Sequence, residues 1–342
     1  MKKFIILFGG SSGERNVSVA SAQNIARFSN QYLPWFWAPD GNVIETNPEE
    51  LLSHQRPFQM DFKPKQGTSL GSIETALSNL PPATPLFLAV HGGDCENGVL
   101  QLLLENKKVP FTASSSTASQ RAFDKSIAKE IVFQSNIKVP RSIMARGDHL
   151  EDAQHRIVEL LHLVNQVVVK PVADGSSIGV HFVNRKSSLQ PVLDELSASP
   201  TRPYLVEERI IGRELTVGVY EDPTGLVPLP CSEVLLNAGR EFDYAGKYLG
   251  DGVEEITPAS LEESTALEVQ SLACKAHRAL GCDGYSRTDI ILGPEGPVFI
   301  ELNTLPGLSQ ASFIPQQLEA AGIGMQDFIS TQLLLAHQNQ SQ

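Results

Sequence analysis

The feature that most constrains the fold lies near the end of the chain. Two apolar runs, Tyr285–Leu292 and Val298–Asn303, flank the turn sequence Gly293-Pro294-Glu295-Gly296-Pro297, which makes them a hairpin candidate. With Leu292 paired to Val298, Asp289 falls opposite Glu301 and Arg287 opposite Asn303. Side chains alternate along a strand, so all four share one face. Opposed carboxylates would then have Cβ atoms about 5 Å apart and would repel unless a cation lay between them. Two carboxylates and an amide oxygen suit a hard cation such as magnesium, which is usually held by one or two carboxylates together with substrate phosphates. A solvated hairpin with incidental charges is the competing reading.

The start of the chain has a different character. Phe4–Phe8 is a short apolar run, followed by a Gly/Ser turn and a helical pattern over Val17–Phe28. A second run, Leu86–Val90, ends in His91-Gly92-Gly93 and precedes a helix near Val99–Glu105. Two strand–loop–helix units predict an α/β domain with a parallel sheet, whose ligands sit at the carboxyl ends of the strands. Ala113–Ser116 reads as a linker. One helix carrying Phe123, Ile127 and Ile131 follows, then helix Leu150–Val164 and strands Val167–Lys170, Val180–Val183 and Tyr204–Glu207. The last third opens on strand Glu214–Tyr220 and contains a polar loop over Leu236–Thr257. A helix is expected from Ser260, where Ser260 and Glu263 fit a capping box. Its apolar face is Val269, Leu272, Ala273, Ala276 and Leu280, and Gly281 is its stop. These patterns predict an α/β and α+β multidomain protein, divided at 1–113, 114–208 and 209–342.

A net charge of −12 argues against a nucleic-acid partner, because a phosphate backbone needs a basic footprint. A nucleotide is still admissible, since a few lysines and a metal offset one triphosphate. No apolar run approaches the roughly 20 residues that span a bilayer. The apolar N-terminal run stops at Gly9-Gly10, too short for a signal peptide, so a cytoplasmic location is expected. Cys95, Cys231, Cys274 and Cys282 show no metal-ligand spacing and read as free thiols.

Other segments carry weaker signals. Asp174–Gly179, with Ser176 and Ser177, can form an anion-binding nest of backbone N–H groups, although a plain hairpin turn fits as well. Lys170 ends an apolar strand and can reach a phosphate. Neither a P-loop nor a G-x-G-x-x-G fingerprint occurs. Tyr204–Glu208 followed by Gly212-Arg213-Glu214 can present backbone to an adenine edge and an acid to a ribose, or can simply be a solvated strand end. His91 also fits a structural loop histidine, Glu14 a helix-dipole partner, and Tyr248 a packing aromatic.

Taken in order, the segments resemble the D-alanine–D-alanine ligase family of the ATP-grasp superfamily. The resemblance rests on Leu7–Ser18, on His91-Gly92 with Glu96-Asn97-Gly98 and Gln101, and on Asp124-Lys125 and Val169-Lys170-Pro171. It continues through Gly175–Gly179, Glu207 with Glu214, Phe242–Tyr248, Gly284–Asp289 and Glu301–Gly307. It implies an ATP-grasp fold of two α+β subdomains after the N-terminal domain, and a homodimer. It also implies a reaction: ATP phosphorylates the carboxylate of one D-alanine, and the amine of a second attacks the acyl phosphate. D-alanyl-D-alanine for peptidoglycan synthesis, ADP and phosphate result. A ligase for another amino-acid pair and an inactive nucleotide-binding module are the rivals.

The resemblance also assigns roles. Asp289, Glu301 and Asn303 hold magnesium, two ions being expected and manganese being an alternative. Lys125, Lys170 and Lys247 bind phosphates, with Ser176 and Ser177 in the same loop site. Glu207, Glu208 and Ile210 meet adenine, and Glu214 the ribose. Glu14 fixes the first ammonium, with His91 near that substrate's carboxylate. Ser312, beside Phe313, takes the second carboxylate. Arg287 and the Gly307 N–H stabilise the oxyanion, and Tyr248 links a mobile loop to Ser176 and Glu14. Cys95, Asn97, Thr288, Ile290-Ile291, Glu208 and Phe313 depart from the family's usual residues.

Overall fold

In the computed structural model, residues 3–173, 179–184, 188–236 and 253–339 are described. The Asp174–Ile178 part of the glycine-rich turn and residues 237–252, with Lys247 and Tyr248, lie outside them.

The first body is an α/β unit. It comprises β1 (Phe4–Gly9), α1 (Arg15–Arg27), β2 (Tyr32–Trp37), β3 (Asn42–Thr46), α2 (Pro48–Ser53), β4 (Gly67–Ser72), α3 (Ile73–Ser78), β5 (Leu86–Leu88) and α4 (Val99–Asn106). The sheet order is β4-β3-β2-β1-β5. β1 pairs in parallel with β2 and β5, as the two strand–helix units predict. β3 and β4 extend the sheet antiparallel, from a stretch whose sequence carries little periodicity.

Ala113–Ser116 is a fixed joint rather than a loose linker. The Ser116 N–H and hydroxyl donate to Glu105, at 2.7 and 2.5 Å, and Ser115 caps the next helix through the Ala118 N–H. The expected single helix is two, α5 (Ser116–Phe123) and α6 (Lys125–Gln134). Asp124 separates them because its carboxylate accepts from the Ser126 and Ile127 N–H groups as an N-cap. α6 therefore turns Ala128, Lys129 and Val132 inward and leaves Ile127 exposed.

A four-stranded sheet, β6-β9-β7-β8, follows, built from β6 (Ser142–Ala145), α7 (Leu150–Val164), β7 (Val167–Pro171), β8 (His181–Val183), α8 (Gln190–Ala198) and β9 (Tyr204–Glu208). It has its own core, including Ile157, Val167, Val169, Leu196 and Val206.

The last body holds β10 (Arg213–Asp222), β11 (Gly225–Pro228), β12 (Ser232–Leu236), β13 (Val253–Ile256), α9 (Glu263–Leu280), β14 (Tyr285–Gly293), β15 (Gly296–Asn303), α10 (Phe313–Ala320) and α11 (Met325–Asn339). Its sheet runs β13-β12-β10-β14-β15, with β11 on β10. One face packs on α5, α6 and α9. The other joins the first body: Tyr220, Tyr285, Leu305, Leu308, Ile314, Leu318 and Phe328 share one core cluster with β1, β5 and α1.

Helix α9 begins at Glu263, with Glu262 at the cap and no side-chain capping bond, so the capping box does not form. The Ser260 carbonyl accepts from Arg213 Nη2 at 2.8 Å instead, which fits a chain that stays extended to that point. Gly281 does end α9, at φ 73°. All four cysteines are buried and free; burial pushes Cys231 up to about 11 and Cys282 to about 12. Among the described residues no helix is long and apolar enough to cross a membrane.

Candidate active site

The hairpin supplies the floor of a cleft. Arg287 pairs with Asn303 and Asp289 with Glu301, as expected, but the expected starting pair does not form: Leu292 faces Pro297 and Ile291 faces Val298. A register shift next to Asp289 reconciles the two, because Ile290 faces Phe299 and Ile300 is the extra residue of a bulge. Arg287, Asp289, Glu301 and Asn303 consequently open on one cleft, which encloses about 1280 Å³ counting its open mouth.

The rest of the lining comes from three directions. The first body contributes Glu14, at the start of α1, and His91, after β5. α6 contributes Lys125 and β10 contributes Glu214. The turn after β15 and the start of α10 contribute Gly307, Ser312 and Phe313. That turn is tight: a Cβ on Gly307 would lie 2.7 Å from Ser312 Oγ, which itself is 2.8 Å from Ser309 Oγ.

His91 is 4% exposed and fastens the two bodies together. Its Nδ1 donates to the Leu305 carbonyl at 2.9 Å, and Nε2 lies 3.0 Å from Ser21 Oγ. Ser21 Oγ accepts from the Leu308 N–H, and Asn24 donates to the Leu308 carbonyl. A neutral ring with its proton on Nδ1 satisfies this set. The segment that carries Gly307 is thus anchored by α1 and the loop after β5.

The electrostatics are lopsided. Glu14, Glu96, Glu214, Glu255, Asp289 and Glu301 line the cleft against Lys125 and Arg287. Burial raises the Glu96 carboxyl, and the His91 ring, whose Nδ1 lies 3.8 Å away, pulls back against it. Burial also raises Glu255, opposed by Gln316 and Arg287. Arg287 reaches Asp289 with two charge-assisted bonds of 2.9 and 2.8 Å, and Thr216 Oγ1 donates to the same carboxylate at 2.7 Å. Lys125 Nζ lies 3.6 Å from Glu301. Asn303 Oδ1 accepts from the Leu305 N–H.

The expected metal set is all oxygen, two facing carboxylates and an amide, which fits a hard divalent cation. Among the described residues no group of three or more acidic, histidine or cysteine side chains forms a metal cluster. The carboxylates are matched instead by side-chain cations, Arg287 on Asp289 and Lys125 on Glu301.

Lys170 and Glu207 are buried and are not among the lining residues. Glu207 is 3% exposed, with Lys170 2.7 Å from one oxygen and Lys129 2.8 Å from the other. Burial would raise the Glu207 carboxyl, but the two lysines more than offset it and hold it below the ordinary value. Lys170 is likewise carried above its ordinary value by Glu207 and Glu301, against burial. Burial wins at Lys129 and pushes it down to about 8. The Glu207 carboxylate is therefore engaged by lysines rather than open to a base edge. Glu208 ends β9, Ile210 lies between β9 and β10, and neither is among the lining residues. Ser176, Ser177, Lys247 and Tyr248 fall outside the described residues.

Sequence reasoning missed Lys129, Thr216, Glu255 and Phe58. Phe58 lines the cleft from a segment held by Gln23 on the His54 carbonyl and by an Arg15–Asp61 pair at 3.1 Å. Its only signal in the sequence is an aromatic in a polar stretch.

Residues 3–114 match the family described as D-ala D-ala ligase N-terminus, and residues 135–334 match D-ala D-ala ligase C-terminus. The chain belongs to the D-alanine–D-alanine ligase family. A relative from Leptospira interrogans, named D-alanine--D-alanine ligase, is 34% identical, covering 96% of this chain and 97% of its own. One of the same name from Pediococcus pentosaceus is 32% identical, covering 97% of each. The fold of the D-Ala:D-Ser ligase VanG from Enterococcus faecalis superposes with a TM-score of 0.82 at 26% identity, covering 98% of this chain and 99% of that one. That of the Coxiella burnetii D-alanine-D-alanine ligase gives 0.79 at 23% identity, covering 100% and 96%. These matches identify the chain as a ligase of ATP-grasp architecture.

Proposed function

We propose that this ligase joins two D-alanines at the expense of ATP, with magnesium held by Asp289, Glu301 and Asn303. The observation that carries the reading is the meeting of Arg287, Asp289, Glu301 and Asn303 with Glu14, Gly307 and Ser312 on one cleft. A cleft lined by six acids accepts a triphosphate only with added cations, so its charge supports a metal-bound nucleotide. Bound there, the metal would neutralise phosphate charge during phosphoryl transfer, a reaction that depends on positioning and electrostatics.

The site residues divide the tasks of this scheme among them. Glu14 takes the ammonium of the first D-alanine and leaves its carboxylate facing the nucleotide, with His91 beside it. Lys125 and Lys170 contact phosphates, together with Lys247, Ser176 and Ser177. Ser312 receives the carboxylate of the second D-alanine, whose amine attacks the acyl phosphate. Arg287 and the Gly307 N–H meet the oxyanion that forms, the usual use of preorganised donors. Arg287 must leave Asp289 to do so. Tyr248 takes part in keeping water from the acyl phosphate. Glu208, Ile210 and Glu214 form the adenine and ribose side, and Glu207 backs it by holding Lys170. A homodimer and a cytoplasmic location complete the reading.

D-Serine as second substrate is the alternative favoured by the likeness to a D-Ala:D-Ser ligase. ADP release and product mass, measured with D-alanine alone and with D-alanine plus D-serine or D-lactate, test both. D-Alanyl-D-alanine as main product is expected. Turnover only with another acceptor overturns the assignment, and ATP binding without ADP from any acceptor marks an inactive module.

A further inference from the structure

We propose that Lys129 is a positioning residue that couples the two walls of the nucleotide cleft. It lies one helical turn after Lys125 on α6, with its side chain 4% exposed. Its Nζ donates to the Ile300 carbonyl at 2.6 Å and lies 2.8 Å from Glu207 Oε1. Ile300 is the bulged residue of β15. If the Ile291–Val298 register ran on without a bulge, Glu301 would face Thr288 rather than Asp289. A one-residue slip turns every later side chain to the other face of a sheet, so Glu301 and Asn303 would point into the core. The bulge thus directs both onto the cleft, and Lys129 holds the carbonyl that the bulge displaces.

The same ammonium holds Glu207 on β9, whose other oxygen holds Lys170 on β7. One side chain therefore joins the sheet that carries Glu301 to the sheet that carries Lys170. A buried ion pair contributes little net stability, because desolvation offsets the attraction. The geometry points instead to a part in fixing the separation and alignment of two groups that act on one nucleotide.

This inference rests on the ATP reading, and its test separates the two. MgATP and MgADP affinity of the full chain is measured by calorimetry without amino acids, alongside KM for MgATP and for D-alanine. Lys129→Met is expected to weaken nucleotide binding on the order of 10-fold while KM for D-alanine moves less than about 2-fold. Lys129→Arg keeps charge-assisted donors for both partners and is expected to recover part of the loss. Amide exchange at Ile300 and Glu301 should quicken in the Met variant under conditions where it is folded. A merely structural role lowers the active fraction and so kcat, with both constants unchanged. Nucleotide affinity within about 2-fold of the natural protein, or a parallel rise of both constants, overturns the proposal. Should Lys129→Met not fold, Lys129→Gln, which drops the ion pair but keeps a donor, carries the same comparison. A natural chain that makes dipeptide while the variants bind nucleotide normally sinks this proposal alone; one that binds no MgATP sinks both.

Discussion

Thr288 sits between Arg287 and Asp289, yet it turns the other way, fully buried, and its hydroxyl has no partner among the described residues. A buried hydroxyl without a hydrogen bond is a cost that a methyl group does not carry. Thr288→Val is therefore expected to raise stability by about 1 kcal/mol, read as an upward shift of the urea midpoint. A loss of that size would mean the hydroxyl is satisfied. Arg287 makes the opposite case. Arg287→Ala should lower kcat by about 100- to 1000-fold, the usual effect of losing one oxyanion donor, with a far smaller change in MgATP affinity. Equal losses in both would reassign Arg287 to nucleotide binding. At this scale the sequence was legible where chemistry is unusual: Asp289, Glu301, Asn303, Lys125 and Glu14 all reach the cleft. It was opaque at Lys129, because a lysine on a helix reads as solvated, and nothing local shows that a bulge carbonyl and a distant acid await it.

Among the elements, α9 carries a pH-sensitive group. His277 is buried, its Nδ1 bonded to Ser286 Oγ at 2.8 Å, and burial, aided by Arg278, pushes its pKa down to about 4. The unfolded chain has an ordinary histidine near 6.5 and takes up a proton that the fold refuses. The contribution is fully present above about pH 6.5 and is lost as pH falls towards 4, reaching about 3 kcal/mol at most. Denaturation of the natural protein and of His277→Gln across that window should show a shallower pH slope for the variant; parallel slopes would exclude His277 as the source. The β14–β15 hairpin shows how far element-level reading reaches. The pairs Arg287–Asn303 and Asp289–Glu301 form as expected although the starting pair does not, because the bulge at Ile300 shifts the register by one between the turn and the acids. Alternation of apolar residues reports strands but is silent on an extra residue. The α5–α6 break was written in Asp124, whose capping role was hidden by the four-residue spacing of Phe123, Ile127 and Ile131.

At the scale of the molecule, the first and last bodies share a core while the four-stranded sheet between them keeps its own. Leu305, Leu308, Ile314, Leu318 and Phe328 are needed to cover β1, β5 and α1. An isolated 1–114 fragment is expected to lack fixed tertiary packing, with near-ultraviolet circular dichroism lost and dye-binding apolar surface exposed. A fragment with native-like near-ultraviolet signal and no dye binding would show that this region folds alone. None of this sharing was visible in the sequence, since periodicity gives the face an element buries and not the face it is buried against. The antiparallel strands β3 and β4 were unread for a related reason: their short, weakly apolar stretches gain meaning only as an extension of the parallel strands.

The shared core also has a history in time. A ribosome delivers the first sheet roughly 200 residues before the segments that cover it, an interval of about 10 to 40 s at ordinary elongation rates. For that interval nascent apolar surface on β1 and α1 waits for its cover, so a newly made chain is most exposed to aggregation during its own synthesis.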